Sequence, residues 1–403
     1  MSEIIKRLLS QELKRQNSGI ELIASENYPS KAVLDACGSI AMDKYAEGYP
    51  FKRYYGGCLY IDAIEDYAIE KAKELFKVGY ANVQPHSGSQ ANAAAYQALL
   101  PNGGTILSMR LNDGAHLSHG SGVSFSSDLY NFVFFPLGTD GKIDYDVVEK
   151  YATEIRPDVI LTGYSAYPFK IDFAKFKQIA DKVGARLMVD MAHIAGLVAA
   201  GKYDNPCKYA DVVTSTTHKT LRGARGGLIL TNDQTLAKKI NSAVFPYYQG
   251  GPLMNMVAGK AVCFEEALTQ EYGFYIGKVL QNTAVSSEVF KQLGAKVSDT
   301  ETHLFLLNTL ESYGLTGFEA QQKLEEIHIT TNKNMLPGDT LKPSETSGLR
   351  IGLAAATTRG CTLIQASVIT ELIHNYLSGK IDKITADFIR KGIVSEWKDI
   401  SNL

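Results

Sequence analysis

Between about residue 70 and residue 270, short apolar runs alternate with stretches of helical spacing, and this alternation constrains the chain more than any other feature. The runs Val159–Leu161, Leu187–Val189, Asp211–Val213 and Leu228–Leu230 read as strands, several of them ending in polar or Gly-rich turns. Ala174–Val183, between two of them, carries apolar residues at helical spacing. Strands alternating with helices need right-handed crossovers, so the expected core is a mostly parallel sheet with helices on both faces. Chemistry in such sheets collects at the carboxyl ends of the strands. Past residue 270 the pattern changes: a long polar helix is predicted over Tyr272–Leu293, followed by hairpin-like and helical pieces. The predicted organisation is a helical arm over 1–16, a large α/β domain over 17–270 and a smaller α+β domain over 271–403.

Composition narrows the function. The 403 residues are 45% hydrophobic and 21% charged, with a formal net charge of −2. Such a balance argues against a nucleic-acid protein that binds through bulk positive charge. No run approaches 18 consecutive apolar residues, so no membrane span is expected. At the N-terminus Ile4, Ile5, Leu8, Leu9 and Leu13 recur at helical spacing among charged residues, without the unbroken apolar core of a secretory leader. This stretch is expected to dock on the body or on a partner subunit. Five widely spaced cysteines with no CxxC pair fit reduced thiols and a cytoplasmic location better than a disulfide frame or a zinc site.

Three motifs carry chemistry. In Thr216-Thr217-His218-Lys219-Thr220 a lysine follows an apolar strand and precedes a Gly-rich turn. A desolvated lysine there can act as an amine nucleophile toward a carbonyl, although a lysine in a polar loop can equally be a solvated surface residue. In Leu187-Met188-Val189-Asp190 a carboxylate ends a buried strand and requires a cationic or donor partner, either a protonated pyridine nitrogen or a structural arginine. In His86-Ser87-Gly88-Ser89-Gln90, ahead of an alanine-rich helix, hydroxyls and backbone N–H groups suit a phosphate, or serve as an ordinary N-cap. Together they make the parts of a pyridoxal-phosphate site. Arg350, in Ser347-Gly348-Leu349-Arg350-Ile351-Gly352, suits a substrate carboxylate or a structural ion pair. His116 and His119, three apart, lack a third metal ligand, and no metal is expected.

Longer motifs make the chain similar to the serine hydroxymethyltransferases: IASEN (23–27), KYAEGYP (44–50), KRYYGG (52–57), ANVQPHSGSQAN (81–92), VDMAHIAGL (189–197), TTHKTLRG (216–223), QGGPLM (249–254) and NKN (332–334). The resemblance implies an aspartate-aminotransferase-like, fold type I α/β/α domain with a smaller C-terminal domain. It also implies interconversion of serine and glycine with pyridoxal phosphate, tetrahydrofolate as co-substrate, and a homodimer with shared sites. By that resemblance Lys219 holds the cofactor, Asp190 pairs with its ring nitrogen and His116 stacks on the ring. Ser165 and His193 lie beside the ring hydroxyl; Ser87, Gly88, Ser89 and His218 cradle the phosphate, with Arg225 in the same shell. Tyr45 and Gly251 come from the neighbouring subunit. Arg350 and Ser25 clamp the substrate carboxylate, Tyr55 helps release the lysine, and Glu47 handles protons near folate and the serine hydroxyl. Thr216 and His218 stand with Lys219 among the catalytic candidates. Tyr54, Leu111, Ala115, Leu117 and Asn334 fall at pterin contacts.

The chain departs from the family pattern at Ala115, usually glycine, at Tyr247-Tyr248, where a small residue is usual, at Ala224 before Arg225, at Ser344 and at Asn255. These departures gather on the folate side and in the dimer-facing glycine loop. They keep open a folate-independent aldolase acting on β-hydroxy amino acids.

Overall fold

The computed structural model describes residues 1–403. The chain divides into two compact units, one of Ala32–Ser165 and Lys170–Gly273, the other of Met1–Lys31, Ala166–Phe169 and Phe274–Leu403. Residues 17–31, expected with the large domain, lie in the second of these. Ile20–Glu21 pairs there in parallel with Ile329–Thr330, a pairing between segments some three hundred residues apart that no local pattern announces.

The first unit is built on a seven-stranded sheet: β1 (Tyr80–Asn82), β2 (Thr105–Met109), β3 (Asn131–Phe135), β4 (Val159–Thr162), β5 (Arg186–Asp190), β6 (Val212–Thr216) and β7 (Gly227–Thr231), in the order β1-β7-β6-β5-β4-β2-β3. The neighbours among β2 to β6 are parallel, and β7 runs antiparallel to both β1 and β6. Three of the strands read from the sequence lie within β4, β5 and β7, short by a residue at one or both ends, whereas Asp211–Val213 starts one residue before β6 and stops three residues before its end. Strands β4 and β6 are buried along their whole length, which is why they read as continuous apolar or hydroxyl-bearing runs rather than alternating ones.

The connecting helices follow from local chemistry. Asp144, Asp172 and Asp233 each accept a backbone N–H of the first turn of Tyr145–Ile155, Phe173–Val183 and Gln234–Ser242. Gly184, at φ 74°, closes the second of these in the left-handed region. The helix Gly88–Leu99 is alanine-rich because most of its surface is buried in the core it shares with Ile106, Val159, Leu161, Met188, Val212 and Ile229.

The other unit holds a three-stranded antiparallel sheet: β8 (Leu304–Asn308), β9 (Asn332–Asn334) and β10 (Gly348–Gly352), with β10 central. Its core includes Ile20, Leu22, Phe290, Phe305, Leu307, Leu349, Ile351 and Ile373. The predicted long helix runs over Gln270–Gln292. The N-terminal helix spans Glu3–Ser18 and buries none of its residues. Its last carbonyls are met by the Arg359 guanidinium, which donates to the carbonyls of Gln16, Asn17 and Gly19 at 3.1, 2.8 and 2.9 Å and packs on the Trp397 ring. The Gln16 carbonyl also accepts the N–H of the cap residue Gly19, and one buried arginine completes the rest of the helix end. No helix is long and apolar enough to cross a membrane.

Candidate active site

Four parallel strands deliver the site. The turn after β2 carries His116 and His119, the turn after β4 carries Gly163–Ser165, β5 ends in Asp190, and β6 ends in Thr216, two residues before His218. Their carboxyl ends converge on a cavity of about 180 Å³. Of the residues singled out from the sequence, Ser87, Gly88, Ser89, His116, Ser165, Asp190, His193, Thr216, His218, Lys219 and Arg225 line this one cavity, together with His119, Gly163, Tyr164 and Ala192.

Asp190 is the electrostatic centre. Its Oδ2 accepts from His119 Nε2 at 3.1 Å and from Asn92 Nδ2 at 2.9 Å, and its Oδ1 accepts from the Ala192 N–H at 3.0 Å. Burial alone would raise the carboxyl. The hydrogen bond and charge of His119, with the charges of His116 and Lys219, outweigh burial and hold it well below the usual carboxylate range. Three of its roughly four acceptor positions are taken, so a cationic ring N–H has one left to use. Asn92 is fixed in turn by Thr214 Oγ1, which donates to its Oδ1 at 2.6 Å, and by its own bond to Ser118 Oγ at 2.9 Å. His116 Nδ1 lies 2.7 Å from the same hydroxyl.

The segment around Lys219 is locked by its hydroxyl neighbours. Thr220 Oγ1 donates to the His193 carbonyl at 2.9 Å and accepts the Gly196 N–H at 3.0 Å, while Tyr272 donates to the Thr220 carbonyl at 2.7 Å. Thr217 Oγ1 donates to the Ala224 carbonyl at 2.5 Å. The lysine therefore sits on a fixed turn rather than a mobile loop.

The phosphate candidates lie at the N-terminus of Gly88–Leu99, where Ser87 caps the helix by accepting the Gln90 N–H at 3.2 Å. The serine caps the helix, and that helix end faces the cavity. A Cβ at Gly88 would stand 2.7 Å from Thr216 Cγ2, so only glycine lets the backbone approach there. His218 is pushed down to about 3 by burial and by the charges of Arg225, Lys219 and Lys260, so it is a neutral imidazole at physiological pH. Its Nδ1 and Thr216 Oγ1 are buried without a hydrogen-bond partner in the protein. Orphan polar atoms, a helix N-terminus, Arg225, an amine and a fixed carboxylate make a donor set that fits a phosphorylated pyridine aldehyde.

A second cluster lies on the loop over residues 44–57 and the glycine loop. Gly48–Tyr49 pairs antiparallel with Lys52–Arg53, and buried Arg53 donates to Asp62 Oδ1 at 2.7 Å, Glu65 Oε2 at 2.6 Å and the carbonyls of Ala46 and Gly48 at 2.9 and 3.1 Å. Gln84 Nε2 reaches both the Gly48 carbonyl, at 2.9 Å, and Glu65 Oε1, at 2.7 Å. Gln249 donates to the Gln84 carbonyl at 3.0 Å and accepts the His86 N–H at 3.0 Å. Tyr45 and Glu47 lie against Gly251 and Gly250, where added Cβ atoms would stand 3.5 and 3.4 Å from them. Tyr45, Tyr54, Tyr55 and Tyr247 are exposed. Leu111 and Leu117 are exposed, and Ala115 between them is buried.

Within the other unit, Arg350 of β10 donates to Ser25 Oγ and Asn332 Oδ1, each at 3.4 Å. Burial pushes its guanidinium down to about 10. Asn334 pairs with Gly348 two residues along the same ladder.

A family model described as serine hydroxymethyltransferase matches residues 1–373. The chain belongs to the serine hydroxymethyltransferase family. It is 56% identical to a serine hydroxymethyltransferase 2 of Pseudomonas savastanoi pv. phaseolicola, over 91% of this chain and 90% of that one. Its identity to a serine hydroxymethyltransferase 2 of Ralstonia nicotianae is 55%, over 92% and 88% of the two chains, and to a serine hydroxymethyltransferase of Mycoplasmopsis synoviae 52%, over 89% and 86%. Serine hydroxymethyltransferases are fold type I pyridoxal-phosphate enzymes with tetrahydrofolate as co-substrate, and the seven-stranded, mostly parallel sheet is of that class.

Sequence reasoning treated His119 only as half of a metal pair and gave Asn92 no role. Both hold Asp190. The available signal was position: Asn92 falls on the buried face of the alanine-rich helix, where an amide needs a polar partner.

Proposed function

We propose that the cavity residues divide among themselves the work of moving the hydroxymethyl carbon of L-serine to tetrahydrofolate, leaving glycine. The chain is a glycine/serine hydroxymethyltransferase, a one-carbon transferase using pyridoxal phosphate. The observation that carries the assignment of roles is the convergence of Lys219, Asp190 and the Ser87–Ser89 helix end on one cavity.

Ser87, Gly88, Ser89, His218 and Arg225 bind the cofactor's phosphate, with neutral His218 donating a hydrogen bond. Asp190 receives the ring N–H and stays ionised. His116 packs on the ring face, and Ser165 and His193 bind its hydroxyl. Lys219 Nζ would be the covalent anchor and Tyr55 would help release it, with Thr216 and His218 in the same catalytic set. When bound, pyridoxal phosphate supplies a cationic conjugated sink for the electron pair left on Cα as the Cα–Cβ bond breaks. Arg350, with Ser25, grips the substrate carboxylate and so fixes which Cα bond is presented for cleavage. Glu47 takes the proton of the serine hydroxyl as that oxygen becomes a carbonyl. Tyr54, Leu111, Ala115, Leu117 and Asn334 bind the pterin.

The working form is a cytoplasmic homodimer in which Tyr45 and Gly251 reach the partner's site. This reading is supported by the apolar surface left exposed at Ile40, Leu59, Tyr60 and the three loop tyrosines, and along the first helix at Ile4, Leu8 and Leu9.

Serine cleavage measured with and without tetrahydrofolate tests the function. Stimulation by folate is expected; equal rates in both would favour the folate-independent aldolase. Glu47→Gln is expected to slow folate-dependent turnover by roughly 10²- to 10⁴-fold, the usual worth of a positioned acid or base, while pyridoxal phosphate still binds with its wild-type absorbance. Loss of cofactor binding in that variant would contradict the role given to Glu47.

A further inference from the structure

Lys260 is the most deeply buried lysine that the chemistry above does not use. It lies on the helix Met254–Ala267, on the face shared with Met254, Val257, Ala261 and Phe264, and is 1% exposed. Its ammonium donates to the carbonyls of Val83, Gly227 and Pro85 at 2.6, 2.9 and 3.1 Å, which uses all three of its protons. No carboxylate lies within ion-pair distance of it. Glu65, the acid that acts on it, is hydrogen-bonded to Arg53 and Gln84.

A buried cation surrounded by neutral carbonyls is costly unless an anion balances it. The carbonyls it binds belong to the two segments that lead into Ser87 and follow Arg225. Val83 and Pro85 lead directly into Ser87, and Gly227 follows Arg225 by two residues; the Gly227 N–H itself donates to the Pro85 carbonyl at 2.9 Å. A Cβ at Gly226 would stand 2.6 Å from Lys260 Nζ, so glycine is required for the ammonium to reach this corner. The charge of Lys260 is felt at His86, beside Ser87, and at His218 in the cavity wall.

We infer that Lys260 is a positioning residue for the cofactor's phosphate: it ties together the two backbone segments that form the cradle, and its ammonium balances the bound dianion. The inference rests on the cradle assignment for Ser87–Ser89, His218 and Arg225. Burial pushes Lys260 down to about 7, against the opposing effect of Glu65. Glu65, held by Arg53, acts on it directly, Arg53 also holds Asp62, and the charge of Lys260 reaches His86 and His218, the latter together with the charges of Arg225 and Lys219. Burial lowers both histidines, so neither gains a proton as neutral pH is crossed. An arriving dianion favours the protonated lysine, so anion binding takes up a proton and weakens as pH rises through 7.

The test titrates the apoprotein with pyridoxal phosphate, with pyridoxal and with sulfate, which stays a dianion throughout. Wild type is expected to prefer the phosphorylated aldehyde, and sulfate to compete with it less well at pH 8.5 than at pH 6. Lys260→Met is expected to cut the preference for pyridoxal phosphate over pyridoxal by roughly tenfold or more, with pyridoxal affinity held within about twofold, and to flatten the pH dependence of sulfate binding. Lys260→Arg, which keeps the charge but not the titration, is expected to restore part of the preference and remain flat. A merely structural lysine would weaken both aldehydes alike. If neither variant folds, ε-¹³C-lysine NMR of the wild type decides: one lysine signal should titrate near neutral pH, and sulfate should move that titration upward. A Lys260→Met protein that still discriminates as wild type does, or an absence of any sulfate-sensitive lysine, overturns the inference. A wild type that fails to prefer pyridoxal phosphate and ignores sulfate overturns the cradle assignment itself.

Discussion

Lys219→Ala should yield a protein that gains no cofactor mass after borohydride reduction, whereas wild type retains one reduced adduct on Lys219. Intact-mass and peptide mass spectrometry read this directly. Glycine formation from serine should fall by at least roughly 10²- to 10⁴-fold, the worth of a positioned proton-transfer group, with loss of the covalent anchor in addition. The fold should persist, because the turn is held by Thr217, Thr220 and Tyr272 rather than by the lysine side chain. Labelling at another lysine in the wild type would remove Lys219 from the centre of the site.

Asp190→Asn should also have a large effect. The amide matches the carboxylate in shape, but one of its ends carries two protons. Oδ1 and Oδ2 both accept bonds now, from Ala192 and from His119 and Asn92, so either orientation sets donor against donor. Losing a preorganised electrostatic partner of the reacting system costs roughly 10²- to 10³-fold in turnover. The expected result is a loss of turnover of that order with Lys219 still able to form its adduct, read by steady-state kinetics beside mass spectrometry. Stability should respond as well. The Asp190 carboxyl is depressed in the folded protein, so its contribution is present above about pH 4, the ordinary aspartate value. It is lost progressively as pH falls from there through the lower native value.

Much of this site is legible in the sequence because a parallel sheet turns linear order into spatial order. Residues at the ends of β4, β5 and β6 must lie side by side once those runs are read as neighbouring strands. Lys219 and Asp190 therefore come together from periodicity and topology before any resemblance is invoked, whereas Ser165 is reached through the resemblance. What remained illegible depends on partners far apart in the chain. Nothing in the spacing of His119 announces that it supports a carboxylate 71 residues later. Lys260 binds carbonyls of residues 83, 85 and 227, and main-chain acceptors leave no trace in side-chain identity. A lysine interrupting an apolar helix face is still a signal: either the face is not buried or the lysine has a buried task. The placement of residues 17–31 escaped for the same reason, since it is fixed by a two-residue ladder to Ile329–Thr330.

Arg53 has a consequence for how this enzyme can vary. One flat guanidinium braces the stretch bearing Glu47 against Asp62 and Glu65, and Gln84 carries the same brace onward to the approach to Ser87. Glu47 and the cavity lined by Ser87 are thus hung from a common bracket. A lysine in its place would bring three protons on a round head where the planar fork now meets four acceptors. Drift in this surface-seeming hairpin is therefore not free: slackening it would be felt at Glu47 and at the Ser87 cavity together.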